Sequence, residues 1–144
     1  MIRVSLYKKI NQPHEILFGK IINLADYNKW MSRRGFFRKT VKVSPGDPKK
    51  GTIFYDYTIF GKFKGEIKEC KYPEFISFRQ TLKFLGFKLM ESRPSWELKE
   101  TSSGTLIHHF SEFQLYGLSK VLYPIAQKMA IAERTRVLNG LIAS

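Results

Sequence analysis

Apolar and polar positions alternate from the first residues of the chain. Ile2, Val4 and Leu6 take turns with Arg3, Ser5 and Tyr7, the period-two pattern of a half-buried strand that runs to about Ile10. Asn11-Gln12-Pro13-His14-Glu15 then reads as a helix start. Asn11 or Gln12 can cap, Pro13 suits the first turn, and Glu15 favours the positive helix end. Ile16, Leu17, Ile21 and Ile22 give this short helix an apolar side. A second short helix is predicted behind Asn23 as cap, with Leu24, Tyr27, Trp30 and Met31 along it.

From Phe36 to about Phe113 the pattern changes to strands and turns. Phe36–Val43 is one predicted strand and Gly51–Phe60 another. Gly61-Lys62 fits a tight two-residue hairpin, so Phe63–Lys71 returns antiparallel. Phe75–Leu82, Phe87–Lys99 and Thr105–Phe113 follow, separated by short turn segments. Such spacing predicts an antiparallel meander. Finally, Leu118, Val121, Leu122, Ile125, Met129 and Ala132 fall on one stripe of a long C-terminal helix, widened by Ala126, Ala130, Val137 and Leu141. Pro124 marks a kink or the true helix start. No linker or repeat divides residues 1–144, so the expectation is one α+β domain: a curved antiparallel sheet of about seven strands around the last helix.

Composition sharpens this in two ways. Twelve Phe, seven Tyr and two Trp suit a sheet-rich domain, because rings pack well on a pleated surface. The single cysteine, Cys70, offers no internal disulfide and no thiol metal framework. With no signal-peptide pattern and no apolar run of about 20 residues, the expected location is cytoplasmic.

The net charge is +13 and uneven: residues 1–72 carry 16 Lys and Arg against 6 acids, residues 73–144 only 9 against 6. The densest stretch holds Lys29, Arg33, Arg34, Arg38, Lys39 and Lys42, followed by Lys49 and Lys50. Such a patch attracts the phosphates of RNA or of an anionic membrane. A solvated face tuned for solubility accounts for the same residues without any partner.

Several short motifs resemble the polyketide cyclase/dehydrase and lipid-transport family of the START-like (Bet v 1-like, SRPBCC) superfamily. They are Ile10-Asn11-Gln12-Pro13-His14-Glu15-Ile16 leading into the first helix, Tyr27-Asn28-Lys29-Trp30-Met31, Ser95-Trp96-Glu97-Leu98 with Gly104-Thr105, and Gly117-Leu118 through Pro124 and Met129. Gln12 stands where that family usually has Ala, and the strands here are richer in Lys. The resemblance implies a helix-grip fold and an apolar cavity between sheet and C-terminal helix.

Strand alternation nominates the residues facing such a cavity: Phe78 and Gln80 beside Ile76, then Met90, Ser92 and Trp96 beside Pro94 and Leu98. His109 and Ser111 follow on the last strand beside Ile107 and Phe113, with Ile125 and Met129 opposite on the helix. A one-residue bulge would reverse any of these sets. The same residues would equally pack as a closed core. His108 and His109 lie on opposite strand faces, so His109 alone is a weak catalytic candidate, with Tyr57 a second nominee. Arg136 sits one turn beyond Ala132 and is expected to snorkel to solvent. No catalytic constellation, metal-ligand spacing or cofactor motif is present, so no cofactor or metal is expected.

Three functions follow as expectations. The first is binding or transport of a small hydrophobic molecule such as a lipid, quinone or aromatic polyketide-like compound. The second is a cyclase or dehydratase acting on such a molecule, with enzymatic activity the less expected outcome. The third is binding of RNA or an anionic membrane through the basic half.

Overall fold

The computed structural model describes residues 1–31 and 37–144. Strand β1 (Ile2–Ile10) leads into α1 (His14–Ile22), a 3-10 turn (Leu24–Asp26) and α2 (Tyr27–Trp30). Six strands follow: β2 (Phe37–Lys42), β3 (Ile53–Thr58), β4 (Gly61–Lys71), β5 (Phe75–Phe84), β6 (Phe87–Thr101) and β7 (Gly104–Leu115). A 3-10 segment (Gly117–Leu122) then delivers the chain to α3 (Tyr123–Ala143).

All seven strands form one curved antiparallel sheet in the order β1-β7-β6-β5-β4-β3-β2. Residues β2 to β7 are a meander, each strand pairing with the next. The exception is β1, which lies beside β7 with Leu6 opposite His109. The two short helices therefore carry the chain from one sheet edge to the other, and α3 returns across the inner face. This is the expected α+β architecture, and the strand boundaries fall within a few residues of those read from sequence.

Four local features differ from the sequence reading. The β3–β4 turn is Ile59-Phe60, not Gly61-Lys62: Thr58 pairs with Gly61, whose φ of +133° already belongs to the strand. Helix α1 has Pro13 at its N-cap and no side-chain cap, and its buried side is Leu17, Phe18 and Ile21 while Ile16 is exposed. Asn23 likewise caps nothing; its side-chain amide donates to the Asp26 carboxylate at 2.8 Å.

The largest difference is the phase of α3. Its buried side is Ala130, Arg134, Val137, Leu138 and Leu141, whereas Ile125 and Ala132 are exposed, Met129 is partly exposed at the cleft, and Leu118 and Val121 precede the helix in the 3-10 segment. The cause is that this segment is apolar on both sides, so periodicity alone cannot select the packed face. The core joins α1 and the end of α3 to the sheet: Leu17, Phe18, Ile21, Ile67, Ile76, Leu98, Ile107 and Leu141 are almost fully buried.

Candidate ligand-binding cleft

Alternation on β5, β6 and β7 aims one side-chain row toward α3 and the other toward solvent. Phe78, Gln80, Ser92, Pro94, Trp96, Ile107, His109 and Ser111 are all buried on the inner row. The register keeps them level, with Gln80 opposite Ser92 and Trp96 opposite His109. A bulge in β5–β6 pairing falls after Leu82, beyond these residues, so the phase survives where it matters.

Two clefts open between this row and α3, and both include Phe37 and Arg134 in their walls. The first is a groove with an open mouth. Its lining is apolar from Ile2, Phe60, Phe63, Met90, Phe113, Leu115, Leu122, Ala126, Met129 and Ala130, with Ser92, Glu133 and Arg134 the exceptions. The second is mixed: Tyr27, Trp30, Met31, Phe54, Phe78, Pro94, Trp96 and Val137 surround Asp56, Gln80 and Arg134.

Arg134 is the side chain that sequence reasoning missed. It is only 6% exposed, and its guanidinium lies over the Phe37 ring at 5.3 Å. Its Nε is buried and makes no hydrogen bond among the described residues. Burial lowers its pKa, opposed by the negative charges of Glu133 and Asp56. Trp30 presents a second donor of this kind, since its buried Nε1 also lacks a partner among the described residues.

Asp56 is better satisfied. Its buried carboxylate accepts hydrogen bonds from Thr40 Oγ1 and from Gln80 Nε2. Nearby Tyr27 donates its hydroxyl to the Ile21 carbonyl, and burial, then the charge of Asp56, pushes its pKa well up.

His109 is fully buried and stacks on Trp96 with ring centroids 3.7 Å apart. Its Nδ1 donates to the Ser95 carbonyl at 2.9 Å, while Nε2 has no partner among the described residues. Burial, and then the charge of Arg134, holds its pKa well below the usual imidazole value, so the ring is neutral.

The nominated residues therefore separate. Met90, Ser92 and Met129 line the first cleft, and Phe78, Gln80 and Trp96 the second. His109 and Ser111 are buried on the same face but line neither. Ile125 is corrected: it is 51% exposed and turned away, because the helix presents Ala126 and Ala130 instead. Tyr57 is also corrected, lying half-exposed while Phe54 and Asp56 take the inner positions of β3. Arg136 is exposed and pairs with Glu133 at 2.6 Å, so the interior guanidinium is Arg134.

Of the basic stretch, Lys29 pairs with Asp26 at 3.1 Å, Arg38 and Lys39 are exposed on β2, and Lys42 donates to the Ser44 carbonyl at 2.6 Å. Arg33 and Arg34 lie outside the described residues. Among the described residues no three His, Cys, Asp or Glu side chains gather as a metal site. No helix there is long and apolar enough to cross a membrane.

The sheet, the two short helices and the gripping α3 define a helix-grip fold. Solved structures share it over the whole chain. A hypothetical protein from Helicobacter pylori superposes with a TM-score of 0.75 at 11% identity, covering 99% of this chain and 85% of its own. A protein from Chromobacterium violaceum gives 0.74 at 15% identity, covering 99% and 96%. One from Thermus thermophilus gives 0.74 at 14% identity, covering 99% and 94%. No family model matches the sequence, and no curated protein matches it.

Proposed function

We propose that this protein binds an amphipathic small molecule between its sheet and α3, as a carrier or binding module. The apolar body would lie in the first cleft, with an acidic or carbonyl head group turned toward Arg134. One observation supports this above others: an apolar cleft ends on a buried guanidinium whose Nε lacks a hydrogen-bond acceptor among the described residues. A buried donor of a charged group left without an acceptor costs about 1–3 kcal/mol or more, even with the carboxylates of Glu133 and Asp56 nearby. A ligand oxygen placed there would offset that cost, and the Trp30 indole offers a second donor from the adjoining cleft. A lipid, a quinone or an aromatic polyketide-like compound has this combination of apolar body and oxygen head. Such a role is the one known for the polyketide cyclase/dehydrase and lipid-transport proteins that the sequence resembles.

Native mass spectrometry after incubation with a total lipid extract tests the reading. The expected result is a one-to-one adduct whose extracted ligand carries an acidic or carbonyl head. Protein that emerges unliganded from every extract would contradict it.

A further inference from the structure

Three chain segments bring a group of exposed apolar side chains to one end of the molecule. Strand register fixes this. Phe63 pairs with Leu82, so the β3–β4 turn lies beside the β5–β6 turn, and Phe84 pairs with Phe87 across the latter. Met90 pairs with Leu115, and the Tyr116 amide donates to the Leu89 carbonyl, which places the 3-10 segment alongside.

At the tips of these segments Ile59 and Phe60 are each 54% exposed, Leu85 82% and Phe87 75%, and Leu118 and Val121 85% and 78%. Leu85 adds a second signal. Its φ is +49°, the first left-handed position of a tight turn, where Asn, Asp or Gly is ordinarily favoured. A bulky apolar residue is held there, pointing at solvent, at a conformational cost.

The charge around these tips has one sign. Residues 57–65, 80–90 and 113–132 contain Lys62, Lys64, Lys83, Lys88, Lys120 and Lys128 and no Asp or Glu. Five of the six are exposed; Lys88 lies over the Tyr116 ring and 3.4 Å from Glu91. Separate apolar tips within a lysine collar match the surface of an anionic bilayer, where side chains enter the acyl boundary and ammonium groups meet phosphates. The same end frames the first cleft, since Phe60 and Leu122 stand in its lining.

We infer that this end docks on an anionic membrane surface, with Leu85, Phe87, Phe60 and Leu118 inserting and the lysines holding the headgroups. This surface is distinct from the basic stretch that begins at Lys29, and docking is read without any cleft ligand, so either proposal can fail alone.

The test is sedimentation of the full chain with sucrose-loaded vesicles of phosphatidylcholine, with and without about one-third phosphatidylserine. Binding is expected to the anionic vesicles and to weaken as salt rises. The L85D/F87D variant should bind roughly tenfold more weakly or worse, from the lost burial of two large side chains. S102D/S103D, with the same charge change at the opposite end of the β6 strand, should bind nearly as well as the parent. Both pairs lie in exposed turns or ends, and an unchanged Tm confirms that each variant folds. Equal loss in both variants, or none in L85D/F87D, would overturn the proposal. So would dimerisation through Leu85 and Phe87 without vesicle binding, or retention on RNA alone.

Discussion

At the scale of single residues, burial lowers the pKa of both His109 and Arg134, and the imidazole is the one whose charge it removes. His109 is kept neutral by burial and by Arg134. Below about pH 6.5 the unfolded chain takes up a proton that the folded ring refuses. Its contribution to stability is therefore complete above that pH and falls as the pH drops, by up to about 1.4 kcal/mol per unit, until the folded-state value is reached. Urea unfolding at pH 7.5 and 5.5 should show this loss, and His109→Gln should flatten it. Glu91 acts lower on the scale. Burial raises its carboxyl, but hydrogen bonds from Arg79 at 2.7 Å and Arg93 at 2.9 Å outweigh that and hold it below the ordinary range. Its stabilisation is present above about pH 4.5 and is lost as pH falls further.

Arg134 is a residue whose presence is hard to explain by stability. It forms no ion pair within 4 Å among the described residues, and Asp56 is already held by Thr40 and Gln80. Arg134→Met keeps the length and removes a buried charge. The variant is expected to be at least as stable as the parent, by up to about 2 kcal/mol in denaturant unfolding. It should at the same time bind acidic amphiphiles more weakly. A loss of several kcal/mol would instead make Arg134 a structural residue.

At the scale of elements, strands were read more faithfully than the final helix. The inner row from Phe78 to Ser111 was legible because one sheet face is packed and the other wet, so alternation carries the phase. The C-terminal segment lacks that contrast: Leu118 and Val121 in the 3-10 stretch, with Ile125 and Met129 on α3, continue as apolar a stripe as the one that packs. Arg134 interrupts the buried side, which is why periodicity shows neither the true phase nor the buried guanidinium at the cleft. The β3–β4 turn was misplaced for a related reason, since Ile59 and Phe60 are apolar residues at a solvent-exposed tip. The phase of α3 is open to a direct check. Leu141→Ala should cost about 2–5 kcal/mol, whereas Ile125→Gln should change stability by roughly 0.5 kcal/mol or less.

Strand β4 makes the neighbouring cleft wall sensitive to one methyl group. Gly65 sits opposite Phe54, and an added Cβ would lie 2.3 Å from the Phe54 ring. Phe54 is buried and lines the second cleft, so the ring could yield only by moving into it. Gly65→Ala is expected to destabilise by about 1–3 kcal/mol, measured by urea unfolding.

For the molecule as a whole, the grip of α3 on the sheet is what creates a space, and the small residues Ala126 and Ala130 are what keep it open toward the helix. The central claim is that this space holds a ligand. The most direct measurement is titration with a fluorescent long-chain carboxylic acid, comparing the parent with Ala130→Phe, whose ring would fill the first cleft. Saturable one-to-one binding by the parent, abolished in a variant that still unfolds cooperatively, is the predicted result. Equal binding by both proteins, or no saturable binding by the parent, would contradict the account.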